Sequence, residues 1–434
     1  MKAMTGIALA AAVLAVSARA EPAFPDAAAS DPAALGWMQG SPPPPDRRIA
    51  FGDYSFFTFP QWRWSFSHWR ELMPTVGVSR GAGPVSALPR AERGDIDAVT
   101  FMPMGGTKPM TWADSLAANY TDGIVVLHKG RIVYERYFGA LKPEGEHIAF
   151  SVTKSFVGTL ASMLVAEGKL DTGRTVASYI PELKDSGFGD ATVRQVMDMT
   201  TGLDFTEKYG DPDSPFAGYV AALGAGPRPA DYAGPDGDYA YLATVAKAGA
   251  HGEAFTYRTV NTDVLGWIVS RVDGKPFTEQ LSERIWAPMG AEADGYFQID
   301  PVGTPFAGGG FNARLRDLAR FGELMRRGGR MGGKQIVPAA AIADIVRGAR
   351  KEDFAKAGYA TLPGWSYRNQ WWVSHNAHGA YTARGIHGQA IYIDPKAEMV
   401  IARFASHPMA ANANFDPTSL PAYQALAEHL MRAK

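Results

Sequence analysis

Phe150-Ser151-Val152-Thr153-Lys154-Ser155-Phe156 is the stretch from which the rest of the chain can be read. Behind it, Phe156, Val157, Leu160, Met163 and Leu164 are apolar at helical spacing, and Gly168 supplies a stop. The pattern predicts a helix with Ser151 at its N-terminus and Lys154 one turn on, on the same face. A serine hydroxyl is a weak nucleophile until a neighbour takes its proton. Lysine does this only when neutral. Its ordinary pKa of about 10.4 has to fall, and burial in an apolar groove lowers it. Ser-x-x-Lys fixes only two residues in four and arises by chance in long chains. Here it occurs once, at a helix start with an apolar run behind it.

Working outward, the 434 residues are 46% hydrophobic and 20% charged, which is ordinary globular composition. That length buries a full core, or two subdomains sharing a cleft. The formal net charge is -1 and both signs are interspersed, so no basic patch calls for nucleic acid. Cysteine is absent, which excludes disulfides, thiolate metal sites and a cysteine nucleophile.

Residues 1–20 read as a secretory signal. Lys2 is the positive start, Ile7 to Val16 the apolar segment and Ala18-Arg19-Ala20 the cleavage site, with Glu21 next. The apolar segment is too short for a membrane span. A periplasmic or secreted protein follows. Residues 21–50, rich in Ala and Pro and including Pro42-Pro43-Pro44-Pro45, read as a linker. Residues 51–434 then form the working domain. Its first part, Phe51 to Trp69, is crowded with aromatic rings, which pack into the domain or wall a groove.

Gly123-Ile124-Val125-Val126-Leu127 and Arg131-Ile132-Val133-Tyr134-Glu135 predict a hairpin turning at His128-Lys129-Gly130. Thr192 to Met199, Asn261 to Val272 and residues 314–327 predict amphipathic helices, the second closed by Asp273-Gly274. Residues 205–250 read as loops with short helices. Gln389 to Ile393 and Met399 to Phe404 predict strands, and a last helix runs from about Pro421 to Arg432. Strands at both ends with helix between them predict an α+β fold. One antiparallel sheet is flanked by helices, with a mainly helical region inserted over about 190–300 and a cleft between the two parts.

Several familiar motifs fail. Gly328 to Lys334 nearly spells a phosphate loop, but Gln335 stands where Ser or Thr should hold magnesium. No H-E-x-x-H is present. His375 and His378 sit in a loop-like stretch, so no metal site is expected. No other cofactor is called for.

Two further stretches matter. Phe255-Thr256-Tyr257-Arg258-Thr259-Val260-Asn261 puts a tyrosine just before a helix, nine residues ahead of Gly266. Ala383-Arg384-Gly385-Ile386-His387-Gly388-Gln389 runs into a strand. With Ser151 and Lys154 they resemble, in order and spacing, the three motifs of the serine β-lactamase and penicillin-binding-protein superfamily. The branch they look most like is that of class C enzymes, esterases and 6-aminohexanoate-dimer hydrolases. The resemblance extends to Met199 to Asp204, Phe311 to Gly322 and Arg63 to Pro74, and spans roughly residues 60–430. Two positions depart from the pattern: Thr259 replaces the asparagine of Tyr-x-Asn, and Ala383-Arg384-Gly385 replaces Lys-Thr-Gly.

The resemblance implies a β-lactamase-like fold and an acyl-enzyme on Ser151. Lys154, neutral, and Tyr257, partly ionised, would share the base role, with either proton location open. The backbone N–H groups of Ser151 and Ile386 would form the oxyanion hole. Arg384, His387, Trp372 and Asn261 are candidate substrate neighbours. A structural role behind the site for His387, helix capping for Asn261 and core packing for Trp372 are the competing readings. Arg384 is expected on the opposite face of its strand from Ala383. Ala383 cannot hold a β-lactam carboxylate. The expected activity is therefore hydrolysis of small-molecule esters or linear amides. The alternatives are a β-lactamase or D,D-peptidase and a binding module that keeps Ser151 without turnover.

Overall fold

Alternation along Gly123 to Leu127 sends Ile124 and Val126 to one face of a sheet and Val125 and Leu127 to the other, and all four are buried. A strand covered on both faces needs helices on both sides. The computed structural model, which describes residues 24–209 and 211–432, provides them. The expected signal segment, residues 1–20, lies outside the described residues.

β1 (Thr121–His128) and β2 (Arg131–Tyr137) form the predicted hairpin. Its turn residues Lys129 and Gly130 both have positive φ, 53° and 74°, the backbone twist that tight hairpins favour. The chain then crosses to α1 (Val152–Ala166), α2 (Val193–Met197), α3 (Pro215–Ala222), α4 (Asp238–Leu242), α5 (Val260–Asp273) and α6 (Leu315–Arg326). It returns through β3 (Ser366–Arg368), β4 (Trp371–Val373), β5 (Tyr381–Arg384), β6 (Ala390–Asp394) and β7 (Met399–Ala405), and ends in α7 (Asp416–Arg432). The main sheet has the order β3-β4-β5-β6-β7-β1-β2 and is antiparallel throughout. N- and C-terminal strands thus close one sheet, as the α+β reading expects. A second antiparallel sheet joins Thr75–Val78, Gly295–Gln298, Phe311–Arg314 and Glu146–Ile148.

One face of the main sheet packs on α1 and α6, through Val125, Leu127, Ile391 and Val400 against Leu160, Leu318 and Phe321. The other packs on α7, where Val126, Ile401 and Met399 meet Ala422, Leu426 and Leu430. α1 is buried without a break from Val152 to Leu164. A helix enclosed on all sides is held by packing rather than by propensity.

The predicted helices form with small shifts at their ends. α2 carries a capping box, Thr192 accepting from the Gln195 N–H and Gln195 from the Thr192 N–H. α5 closes on Gly274 in the left-handed region (φ 70°). α7 starts at Asp416, five residues before the expected start, and Pro421 lies inside it. A proline there leaves the carbonyl four residues back without its helical donor. The Met104 N–H supplies one, 3.0 Å from the Pro417 oxygen.

The reading of 21–50 as a linker needs correction for its described part. Ser30 is fully buried, and Arg63 donates to the Ala27 carbonyl and to Ser30 Oγ. Arg63 itself is buried beside Asp122, which also accepts from Ser406. Satisfying this guanidinium ties the segment to the domain. The aromatic stretch behaves as packing. Phe56, Trp64, Phe66 and Trp69 are buried around Phe150 and Ile148. Gly332 and Gly333 are the tip of a small hairpin, so the Gly328–Lys334 stretch is a surface turn.

Candidate active site

Ser151 stands where the second sheet hands over to α1. The preceding Phe150 has φ 43°, a conformation few side-chain-bearing residues adopt. Rings of Phe66, Trp69, Phe57 and His387 hold it on four sides, with centroids 4.9–6.3 Å away. Strain of this kind persists only where the surroundings enforce it. The turn lifts Ser151 into a partly exposed position while Val152 and Thr153, next in line, are buried.

Lys154 is 1% exposed. Its Nζ donates to Ser151 Oγ at 2.9 Å and to the Gly308 carbonyl. Burial pushes its pKa down to about 8, against the opposing pull of Glu207 and Asp263. The lowered lysine pKa expected from the apolar run behind Ser151 is therefore present.

Tyr257 lies above this pair, its ring centroid 5.2 Å from Lys154 Nζ. Burial, reinforced by the Glu207 charge, holds its phenol well above the usual range, although the Ser151 hydroxyl acts in the other direction. This corrects the expectation of a partly ionised tyrosine. Of the two proton arrangements left open, neutral lysine beside neutral phenol is the one the surroundings favour. Trp372 stacks on Tyr257, with centroids 5.6 Å apart and planes at 28°, so it walls the tyrosine.

The Ser151 and Ile386 N–H groups make no hydrogen bond among the described residues. Both neighbours of Ile386 do: Gly385 N–H goes to the Gln389 carbonyl and His387 N–H to that of Ala410. Gly385 lies so close to the Ser151 turn that a Cβ on it would sit 2.8 Å from the Ala149 oxygen. The end of β5 and the start of α1 are thus adjacent, each with one free donor.

Three candidate substrate neighbours are occupied elsewhere. Arg384 does alternate to the face opposite Ala383, which packs into the core beside α1. Its guanidinium is buried, paired with Asp416, and lies over the Trp372 ring at 5.2 Å, so its charge is already met. His387 is 2% exposed, and its Nδ1 donates to the His407 carbonyl at 2.7 Å. Burial holds its pKa down at about 4, so it is neutral and braces the aromatic cluster. Asn261 is fully buried, accepts from Thr201 Oγ at 2.8 Å, and ties α5 to the turn after α2. Of the four, only Trp372 packs directly on a member of the Ser151 group.

Two residues near the reacting atoms escape sequence reasoning. Gly308 offers the carbonyl that holds Lys154, inside the run Ala307-Gly308-Gly309-Gly310. Triple glycine was the available signal, since no side chain fits there: a Cβ on Gly308 would lie 2.2 Å from Thr259 Cγ2. Glu207 accepts from the Thr259 N–H and from the Tyr209 hydroxyl. It puts a negative charge beside Lys154 and Tyr257 that no motif announces. His375 and His378 bond separately to Ser366 and Asp394. Among the described residues no group of three or more His, Asp or Glu side chains is placed to hold a metal ion.

A helix-start serine bonded to a buried lysine, under a tyrosine and beside the end of an antiparallel strand, defines a serine hydrolase of the β-lactamase and penicillin-binding-protein type. The chain belongs to the Beta-lactamase family, whose profile matches residues 114–419. It is 33% identical over 386 residues to a 6-aminohexanoate-dimer hydrolase of Paenarthrobacter ureafaciens, covering 89% of this chain and 91% of that one. A candidate 6-aminohexanoate-dimer hydrolase from Bacillus anthracis superposes with a TM-score of 0.81 at 32% identity, covering 90% of this chain and 99% of the other. A family VIII carboxylesterase shares the fold, with a TM-score of 0.53 at 19% identity over 72% of this chain and 96% of its own.

Proposed function

We propose that this serine hydrolase cleaves linear amides or esters through an acyl-enzyme on Ser151. The observation that carries the reading is the 2.9 Å contact from Lys154 Nζ to Ser151 Oγ, with the lysine pKa near 8. Neutral Lys154 takes the hydroxyl proton as Ser151 attacks the carbonyl carbon. The developing oxyanion lies between the free N–H groups of Ser151 and Ile386, where the N-terminus of α1 favours negative charge. Tyr257, neutral and beside Lys154, passes a proton to the leaving amine or alkoxide. Water then attacks the acyl-enzyme, with Lys154 and Tyr257 reversing their roles.

The name of the Paenarthrobacter relative supports an amide joining two 6-aminohexanoate units as the first substrate to test. Ala383 speaks against efficient β-lactam turnover, because it offers no cation to a β-lactam carboxylate. Residues 1–20 support export, with Glu21 as the mature N-terminus.

Turnover of 6-aminohexanoate dimer, p-nitrophenyl butyrate and nitrocefin is the test, in wild type and Ser151→Ala. We expect ester or amide kcat/KM to exceed that for nitrocefin by about tenfold or more, the worth of one lost charge-assisted contact. Ser151→Ala should lose several orders of magnitude on every substrate. Near wild-type turnover in that variant would remove Ser151 from the mechanism. Nitrocefin cleaved as well as the best ester would favour the β-lactamase reading.

A further inference from the structure

Asp263 is a charged side chain with no assigned task in the reading above. It lies on α5, six residues after Tyr257, and is 1% exposed. Among the described residues no Lys, Arg or His forms an ion pair with it. Its two oxygens are nevertheless fully used. Oδ1 accepts the Gly308 N–H at 2.7 Å, and Oδ2 accepts the Tyr219 hydroxyl. The Gly308 carbonyl, on the other side of the same residue, accepts from Lys154 Nζ. Three elements therefore meet on one glycine: α5 through Asp263, α1 through Lys154, and the triple-glycine loop itself.

We propose that Asp263 is a positioning residue for Lys154, acting through Gly308. The proposal rests on the acyl-enzyme reading above. A glycine loop has no side chain to anchor it and a large conformational freedom to lose. Without the bond from Asp263, only packing would fix the Gly308 carbonyl that aims Lys154 Nζ at Ser151 Oγ. Misplacing a reacting group by a fraction of an ångström is felt in kcat far more than in KM.

Asp263 also acts through its charge. When Lys154 takes the serine proton it becomes an ammonium in a dry site, and the carboxylate stabilises that state. The groups facing Asp263 are Lys154 on α1, Glu207 in the loop before α3, Tyr219 on α3, and Asp238 and Tyr239 on α4. Asp300 lies behind Asp238, accepting its N–H at 2.8 Å. Burial raises Asp263, and Lys154 and the bonds from Tyr219 and Gly308 pull it back, so it is charged on the alkaline side of neutrality, where Lys154 works. Asp238 is buried with neither carboxyl oxygen hydrogen-bonded among the described residues, and it is held protonated by burial. Asp238 therefore leaves Asp263 as the negative group of this pair.

The test uses Asp263→Asn, which keeps an oxygen for Gly308 and removes the charge, and Tyr219→Phe, which removes one bond and keeps the charge. The readout is the rate of fluorophosphonate labelling of Ser151 from pH 6 to 10, alongside kcat and KM on p-nitrophenyl butyrate. Asp263→Asn should move the acid limb of the labelling profile down by on the order of one pH unit, as loss of a nearby opposite charge does. Its plateau kcat should fall about tenfold with KM nearly unchanged. Tyr219→Phe should lower kcat by a smaller factor and move the limb the same way by less, because a carboxylate with one fewer donor stays protonated to higher pH and offers Lys154 less charge. An unmoved limb in both variants, or a kcat loss that only tracks the unfolded fraction, overturns the proposal. No labelling of Ser151 in the wild type refutes the acyl-enzyme reading itself, a result distinct from failure of the Asp263 step alone.

Discussion

The pH dependence of catalysis follows most directly from the Ser151–Lys154 geometry. With a pKa of about 8, about one Lys154 in ten is neutral at pH 7. An unperturbed lysine would be neutral about once in three thousand molecules at that pH. Burial therefore raises the competent fraction by roughly three hundredfold. The sign is fixed by the base role: protonation removes the base, so activity is lost as pH falls below the folded-state value. The kcat/KM profile for p-nitrophenyl butyrate should rise about tenfold between pH 6 and 7 and flatten above about pH 8. No second limb from Tyr257 ionisation should appear below about pH 10, because its phenol is held above its ordinary value. Stopped assays in constant-ionic-strength buffers, corrected for spontaneous ester hydrolysis, read this directly. A profile already flat from pH 5.5 upward would exclude Lys154 as the base. It would place the base on a carboxylate such as Glu207 rather than on the buried amine. Lys154→Met would then retain activity, whereas with Lys154 as the base that variant loses it.

Two further outcomes are expected. Gly308→Ala should lose about 1–3 kcal/mol of stability in urea unfolding and at least about tenfold in kcat, because the new Cβ meets Thr259 Cγ2 at 2.2 Å and Phe306 Cε2 at 2.8 Å; wild-type behaviour would mean that the loop yields freely. His387, depressed from 6.5 to about 4 in the folded state, should make stability fall as pH drops from about 6.5 toward 4, since the unfolded chain binds the proton first. At pH 4.5 this amounts to about 2.5 kcal/mol. His387→Asn, which tolerates the positive φ and offers a donor to the His407 carbonyl, should flatten that part of the profile in parallel urea titrations.

What was legible in the sequence was what depends on near neighbours. Apolar spacing behind Ser151 announces an enclosed helix, and enclosure implies a depressed lysine. Lys129-Gly130 between two β-rich runs announces a hairpin, and Asp273-Gly274 a helix end. The candidate site was most readable where a motif holds its residues a few positions apart, as Ser151 and Lys154 do. Gly308 reaches Lys154 across 154 residues, and nothing in its own surroundings names its partner. Arg384 shows the converse. Its strand position suggests a cation beside the substrate, but Asp416, thirty-two residues on, claims it. Pro421 misleads for the same reason: as a helix-start signal it hides five residues of helix, whose orphan carbonyl is met by Met104 from the opposite end of the chain.

The same non-local packing explains how one site lowers the pKa of its base and keeps the fold intact. Burying an amine is unfavourable unless its hydrogens find acceptors, and Lys154 has Ser151 and Gly308. Neither acceptor is a carboxylate, so neither restores the charge. The two negative groups that do act on Lys154, Glu207 and Asp263, spend their oxygens on other donors: Thr259 and Tyr209 for one, Gly308 and Tyr219 for the other. They are near enough to stabilise an ammonium when it forms, and too committed to form an ion pair that would lock it in place. A direct Lys154–carboxylate bridge would push the lysine back toward its ordinary pKa and remove the base. The arrangement thus separates positioning, done by neutral acceptors, from charge stabilisation, done by carboxylates one contact further away.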